Sequence, residues 1–372
     1  MTTTQSSDPL TSVLAQQHMP ALDGLRAVSV FVVMVYHFGL VQVPGDLGVS
    51  AFFVLSGFLI TWLLLKENRA TGSVSLSHFY TRRVLRIFPA YYAFLVVSFV
   101  VDHLRNDPWS PALRYSAIFY VVNYFNAFFG HPNTSVAHAW SLAIEEQFYL
   151  LWPLAFLLLR RRSKRAALGM IVGIIVAVGL WRSIAFLVIG ASKAYVYNAF
   201  ETRFDNIAIG CLLALLLEHG NLRGAVGATA RWSWLPMLTL GLLVVSRVFM
   251  PTIYHYSAGF TVDAALIAIF IVQVLQLYRE PLWSWLELPL VRYLGTISYP
   301  LYLYHQWGLG AVQSLHALPE GVQFLAGTLL CIAVASGSYF VVERPFLRLK
   351  RGLETSTQRT TMAHVHPPRA TA

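Results

Sequence analysis

The chain has 372 residues, of which 56% are hydrophobic and only 12% are charged, and its formal net charge is +10. Soluble domains usually carry about twice this share of charged residues, so the composition predicts a helical membrane protein. The positive charge is then explained by basic cytoplasmic loops, and no basic-aromatic module predicts nucleic-acid binding. The two cysteines, Cys211 and Cys331, lie in apolar stretches and predict neither a disulfide framework nor a metal site.

The fold class predicted is an all-α integral membrane protein with about ten transmembrane helices and one re-entrant or interfacial segment. The ten apolar segments are 24–43, 48–65, 89–101, 140–159, 166–190, 204–217, 234–250, 259–278, 294–312 and 321–342. Residues 1–20 are predicted to be a cytoplasmic tail, and residues 21–347 to be the transmembrane domain. Residues 348–372 are basic and are predicted to be a disordered cytoplasmic tail.

Charge predicts the path of the eleventh segment, Ala112–Phe129. Basic residues cluster at positions 66–86 and again at positions 160–165. Both clusters should be cytoplasmic, so an even number of crossings must separate them. Segments 89–101 and 140–159 supply two crossings, and the segment between them is therefore expected to be re-entrant or interfacial.

Asp23 lies at the entrance of the first apolar segment, which contains Arg26 and His37. His37 follows Arg26 by eleven residues, or roughly 16 Å of helix, which would place the imidazole near mid-depth in the bilayer. An ionisable group at that depth is costly and predicts a functional site. The alternatives are that Arg26 extends to lipid headgroups and that His37 is a structural histidine bonded to a backbone carbonyl.

Arg83 and Arg86 lie three residues apart, so they share one face of a helical turn. Two guanidinium groups at the cytoplasmic boundary are suited to a phosphate-rich ligand, because Arg binds phosphate in bidentate fashion. The alternative is a topology signal or a contact with anionic lipid. Pro89 is expected to begin the next helix, since its missing N–H costs little there.

Glu145 and Glu146 lie inside an apolar span, where two acids are expensive. Adjacent helical residues point about 100° apart, so one acid is expected to face the interior of the bundle and the other its rim. Ser141 lies four residues before Glu145 and shares its face. The alternative is a structural ion pair of the acid with a membrane arginine such as Arg182.

Three weaker patterns follow along the chain. Asp205, after Arg203, could cap a helix or supply charge to its N-terminus. One late span carries polar and aromatic residues at helical spacing, which could also be a packing stripe; they are Ser298, Tyr302 and His305. Glu343, at the end of the last span, is expected to form a local ion pair.

A neutral imidazole can remove a proton from an alcohol, and a carboxylate can orient that imidazole. Cytoplasmic arginines can hold the phosphates of an acyl carrier. These residues together indicate acyl transfer to a hydroxyl group. The alternatives are a proton-coupled transporter or flippase of a glycan or lipid-linked substrate, since His and Glu relays are also found in transporters, and a non-catalytic membrane scaffold.

These motifs, in this order, resemble the membrane-bound acyltransferase-3 family of bacterial proteins that acylate the sugars of polysaccharides, lipopolysaccharide, Nod factors and some macrolides. The resemblance covers residues from Ala21 to Phe346. Its motifs are Arg26 with His37, the run Gly48–Thr61, Arg83 with Arg86, the stretch Ser141–Tyr149, the stretch Ile297–His305, and Glu343-Arg-Pro345.

The resemblance implies an O-acyltransferase in the bacterial inner membrane, and we expect the form without the SGNH-type esterase domain that some relatives add. Ten crossings with basic cytoplasmic loops predict that both termini are cytoplasmic. It implies an acyl-CoA donor, usually acetyl-CoA, a carbohydrate or glycoconjugate acceptor, and no tightly bound cofactor or metal. We expect His37 to be the general base, oriented by Asp23, Glu145 or a backbone carbonyl, and Arg26, Arg83 and Arg86 to hold the donor phosphates. The residues expected to contact substrate or to support the site are Ser141, Tyr149, Arg203, Asp205, Ser298, Tyr302 and His305.

Overall fold

The structure is a computed structural model, and it describes residues 9–349 apart from residues 17, 40–42, 220–223, 225–226 and 314–317. Across these residues the chain is almost wholly helical and has no β-strand. Seven helices are long and apolar enough to cross a membrane; they are Pro20–Phe38, Gly45–Thr71, Leu76–Leu104, Ala137–Leu159, Lys164–Ile189, Thr252–Leu277 and Glu320–Leu349. The protein is therefore a multi-pass, all-α membrane protein, as predicted.

Three shorter helices coincide with the remaining predicted spans; they are Asp205–Glu218, Leu235–Phe249 and Ser298–Gln313. The eleventh segment is divided into two helices, Pro111–Ile118 and Val122–Phe129, of 8 residues each. Each is about 12 Å long, less than half of a bilayer core, so neither crosses alone. The break lies at Tyr120, whose φ of 55° is left-handed. This geometry agrees with a re-entrant or interfacial segment.

In chain order, the helices that position the site are α1 (Pro9–Ala15), α2 (Pro20–Phe38), α3 (Gly45–Thr71), α4 (Leu76–Leu104), α5 (Pro111–Ile118), α6 (Val122–Phe129), α7 (Trp140–Leu159), α8 (Lys164–Ile184), α9 (Lys193–Asn198) and α10 (Asp205–Glu218).

Helix α4 corrects one expectation. Pro89 does not begin this helix but lies inside it. The helix begins at Leu76, where the Ser75 hydroxyl accepts a hydrogen bond from the His78 N–H at 3.3 Å. Proline is tolerated within membrane helices because neighbouring groups can satisfy the freed carbonyl. Arg83 and Arg86 therefore belong to the same continuous helix as the apolar span.

A very close helix crossing joins α3 to α10. A Cβ atom at Gly57 would lie 1.9 Å from the Ile207 carbonyl oxygen, and one at Gly210 would lie 2.1 Å from the Val54 carbonyl oxygen. Only glycine at both positions allows this backbone contact, which is a common device of membrane helices. The crossing holds the middle of α3, whose two ends line two different cavities.

The N-terminal segment predicted to be a tail contains helix α1. Its Leu10, Val13 and Leu14 side chains are buried in the bundle. Lys66 Nζ donates to the Gln16 carbonyl at 2.5 Å, which ties the end of α1 to α3. Residues 350–372, the larger part of the predicted basic tail, lie outside the described residues.

A buried ion pair joins α8 to α10. Arg182 Nη1 lies 2.9 Å from Asp205 Oδ2, and both side chains are fully buried. The same guanidinium donates to the Ser257 and Thr202 carbonyls at 2.7 and 2.9 Å, and Thr261 donates to Asp205 at 2.6 Å. The alternative considered from the sequence, an ion pair between Arg182 and one of the acids at positions 145 and 146, is therefore excluded. Asp205 begins α10 and makes this ion pair instead of capping the helix.

Arg182→Lys is expected to lower the free energy of unfolding by about 2 kcal/mol, because an ammonium cannot reproduce the fork of hydrogen bonds that the guanidinium makes. The midpoint of thermal denaturation in detergent measures this loss. Arg161→Lys is the matched control, since Arg161 is exposed. Equal midpoints for the two variants would contradict the prediction.

Candidate functional site

Two cavities lie at opposite ends of the antiparallel helices α2 and α3. The first, named the basic cavity, has a volume of about 490 Å³ and lies at the start of α2 and the end of α3. The second, named the histidine cavity, has a volume of about 530 Å³ and lies at the other ends of these helices. Nine of the predicted site residues line the basic cavity; they are Asp23, Arg26, Arg83, Arg86, Ser141, Glu145, Tyr149, Ser298 and Tyr302.

His37 lines the histidine cavity. It is the last residue but one of α2, about 21 Å of helix from Asp23. It therefore lies at the end of α2 away from the basic cavity, which Glu145 lines. Because α2 begins at Pro20, Arg26 is already in its second turn.

A backbone carbonyl orients the His37 ring. Nδ1 lies 2.8 Å from the carbonyl oxygen of Val33. A carbonyl only accepts, so Nδ1 carries the hydrogen and Nε2 holds the free lone pair. Asp23 instead contacts His18 at 2.7 Å. Of the three orienting groups considered from the sequence, the carbonyl is the one that contacts His37.

Two further histidine rings lie next to His37 in tilted and edge-on orientations. The ring centroids of His37 and His305 are 4.8 Å apart, and those of His305 and His138 are also 4.8 Å apart. His305 is fully buried, and its Nδ1 lies 2.6 Å from the Tyr302 carbonyl oxygen. Sequence reasoning missed His138, although it lies only three residues before Ser141. The three rings come from separate parts of the chain, so only the fold brings them together.

The remaining wall of the histidine cavity is aromatic and polar. Trp140, Tyr197 and Tyr256 contribute aromatic rings, while His131 and Gln306 contribute polar groups. Burial lowers the pKa of His131, a loop residue between α6 and α7, although a hydrogen bond with Asn198 opposes the shift. Burial thus favours the neutral form of the His131 ring, which can both donate and accept.

The arginines of the basic cavity have no acidic partner among the residues that the structure describes. Arg26, Arg83 and Arg86 all lie more than 4.0 Å from any carboxylate there. Arg83 stacks on Tyr149, with 4.7 Å from the guanidinium carbon to the ring centroid. Three unpaired guanidinium groups facing one cavity can bind phosphate groups without first breaking an ion pair.

Acids line the same cavity but are held by other groups. Glu145 accepts hydrogen bonds from Ser56 Oγ at 3.1 Å and from Tyr149 Oη at 3.0 Å. Glu146 also lines the basic cavity, so the expectation that the two acids diverge to interior and rim is wrong. Glu343 lines it as well and, within the described part of the chain, forms no ion pair, contrary to expectation.

Val49 and Tyr302 line both cavities and form the partition between them. The Tyr302 hydroxyl donates to the His138 carbonyl at 3.0 Å and accepts from the Ser141 hydroxyl at 2.6 Å. These bonds fix the Tyr302 ring across the boundary. The two cavities are therefore separated by a single layer of side chains.

Arg203 and Asp205 line neither cavity. Arg203 is fully buried, and its guanidinium carbon lies 3.7 Å from the Phe260 ring centroid and 5.2 Å from that of Tyr197. It therefore lies behind the aromatic wall of the histidine cavity. Asp205 belongs to the ion pair with Arg182 described above, which holds α8 and α10 together.

Residues 19–341 match the family model of the acyltransferase-3 family, described as an acyltransferase domain. The chain belongs to the acyltransferase-3 family. It is 32% identical over 317 residues to the peptidoglycan O-acetyltransferase OatA of Listeria monocytogenes, a match that covers 79% of this chain and 50% of that protein. It is 29% identical over 356 residues to the O-acetyltransferase OatA of Staphylococcus aureus, covering 90% of this chain and 58% of that protein.

This acyltransferase-3 chain thus spans only half to three-fifths of the length of the curated relatives it matches. The family match covers both cavities, since only His18, Glu343 and Leu347 of their lining residues lie outside residues 19–341. No solved structure matches the chain at a significant level.

Proposed function

We propose that this protein is a membrane O-acyltransferase that moves an acetyl or short acyl group from acyl-CoA to a hydroxyl group of a carbohydrate or glycosylated acceptor. One observation carries the proposal. A cavity with three unpaired arginines and a cavity with an imidazole whose Nε2 is free meet at a partition one side chain thick. The names of the relatives support O-acetylation as the reaction.

The donor would bind from the basic cavity. Arg26, Arg83 and Arg86 would hold the phosphates of acyl-CoA, and the flexible pantetheine arm would extend along the cavity toward Val49 and Tyr302. Acyl-CoA is consumed in each turnover, so it is a substrate and not a tightly bound cofactor. Since acyl-CoA is cytoplasmic, the basic cavity would face the cytoplasm of a bacterial inner membrane, with both termini on that side.

The acceptor would bind in the histidine cavity, where His37 Nε2 takes the proton of its hydroxyl group. The hydroxyl oxygen attacks the thioester carbonyl, a C–O bond forms, and the C–S bond breaks. The CoA thiolate leaves and takes up the proton that His37 accepted. The Val33 carbonyl, bonded to Nδ1, stabilises the imidazolium while it exists.

Purified full-length protein in liposomes, supplied with acetyl-CoA and soluble peptidoglycan or lipopolysaccharide fragments, tests this function. We expect CoA thiol to appear at a rate that depends on the glycan, with alkali-labile acetyl esters on the glycan in equal amount. Cavities at opposite ends of the same helices would also suit a transporter. Glycan uptake into the liposomes without any CoA release would establish the transporter and overturn the proposal.

A further inference from the structure

We infer that Trp140 and Tyr197 form a sugar-stacking wall in the histidine cavity and that the buried Arg203 positions this wall from behind. The inference rests on the proposed function and deepens it, because it assigns where the acceptor binds. Its ligand class is a pyranose ring, whose C–H bonds present a weakly positive face to the negative face of an aromatic ring.

The two rings belong to one continuous surface. The centroids of Trp140 and Tyr197 are 4.8 Å apart, and the rings are inclined at 50°. Both line the cavity that His37 lines, and Gln306 lines it with an amide group. Aromatic faces with a few convergent polar groups are the usual composition of a specific ligand site. A ring stacked here would lie in the cavity that contains the proposed base.

Arg203 occupies an unusual environment directly behind the wall. Its side chain is fully buried, and it forms no ion pair with any acid in the described part of the chain. Its Nε and Nη1 atoms have no hydrogen-bond partner there, and Nη2 lies 3.5 Å from Ser50 Oγ. A buried charge without an acid is costly, so a role that only secured the fold would be served better by an apolar side chain.

Aromatic rings are the principal contacts of this guanidinium. Besides Phe260 and Tyr197, the ring of Trp140 lies 5.8 Å from the guanidinium carbon and that of Phe53 lies 5.9 Å from it. These rings come from four different helical elements, so Arg203 joins them at one point through cation–π attraction. Removing the cation would free Trp140 and Tyr197 to move relative to His37. Arg203 is therefore a positioning residue.

The test measures the binding and the turnover of soluble peptidoglycan fragments. Tyr197→Leu and Trp140→Leu are each expected to raise the KM for the fragments roughly tenfold, while Tyr197→Phe keeps the ring and stays close to wild type. The KM for acetyl-CoA should not change, because the basic cavity is intact. Tyr195→Leu is the matched control, since Tyr195 lies on the same helix and bonds to Glu201 outside the cavity.

Arg203→Lys keeps a cation and is expected to raise the KM for the fragments less than Arg203→Met does, with kcat reduced in both. Direct binding of the fragments to the His37→Ala protein, by calorimetry, provides a readout that does not depend on turnover. Wild-type protein that acetylates the fragments while the Tyr197 and Trp140 variants keep the wild-type KM would overturn this inference alone. Fragments that neither bind nor become acetylated would overturn it too.

Discussion

His37→Ala is expected to reduce glycan-dependent release of CoA by about 10³-fold, because general-base catalysis by a positioned side chain contributes typically 10²–10⁴-fold. The reason is the geometry of the ring. The Val33 carbonyl accepts a hydrogen bond from Nδ1 of His37 and so keeps the hydrogen on that atom. The lone pair of Nε2 is therefore available at every turnover. His305 makes a comparable bond to the Tyr302 carbonyl, but it does not line the cavity. The rate of thiol release in liposomes that contain the purified variant measures the effect.

The affinity for acetyl-CoA separates a chemical defect from a folding defect. It should stay within about twofold of wild type in His37→Ala, since the basic cavity, which the arginines line, lies at the other end of α2. His103→Ala is the control for loss of a histidine, because His103 is exposed at the end of α4 and lines neither cavity. A His37→Ala protein that acylates glycan at the wild-type rate would exclude His37 as the base.

The membrane fold could be predicted because length and apolar character suffice to identify spans in a bilayer. A re-entrant or interfacial segment around Tyr120 could be predicted too, because basic clusters that share one side of the membrane require an even number of crossings between them. Its division into two helices could not. The start of α4 could not. Counting apolar residues places the start of the helix at Pro89, where the charged residues end. In the structure the helix begins at Leu76, because the Ser75 side chain caps it and the backbone hydrogen bonds of the helix continue through the charged stretch.

The division of the site into two cavities could not be predicted from spacing along the chain. Spacing gives the distance between Arg26 and His37 but not the position of the membrane relative to either residue. The partner of Arg182 depends on how α8 packs against α10, and apolar patterns do not specify that packing. The Tyr302 partition likewise requires Ser141 and His138 to meet a residue from a helix more than 160 positions later.

The basic cavity is lined by acids as well as by arginines, which restricts where a donor can bind. The carboxylates of Glu145 and Glu343 face the same space as the arginines, so a phosphate ligand must bind close to the cations and away from the acids. Hydrogen bonds from Ser56 and Tyr149 hold Glu145 in place and leave Arg83 unpaired. The arginines thus stay available for an anion, and their loss should affect the donor more than the acceptor.

Arg83→Ala and Arg86→Ala are each expected to weaken acetyl-CoA binding by about 10-fold to 100-fold, since a hydrogen bond to a charged group is worth about 1.5–3 kcal/mol and 1.4 kcal/mol is tenfold. The double variant should bind the donor too weakly to saturate at millimolar concentration. Equilibrium binding of acetyl-CoA to detergent-solubilised protein, at two salt concentrations, measures this loss and its electrostatic origin.

Arg82→Ala is a stringent control for the arginine pair. Arg82 is adjacent to Arg83 on α4, but it pairs with Glu67 at 2.8 Å and lines neither cavity. The Arg82→Ala substitution removes the same charge from the same part of α4. Any general effect of positive charge on an anionic donor should therefore be equal in the Arg82, Arg83 and Arg86 variants. If Arg82→Ala weakened binding as much as Arg83→Ala, the arginines would act only through the long-range field. A loss confined to Arg83 and Arg86 would instead mean that these two side chains contact the phosphates directly.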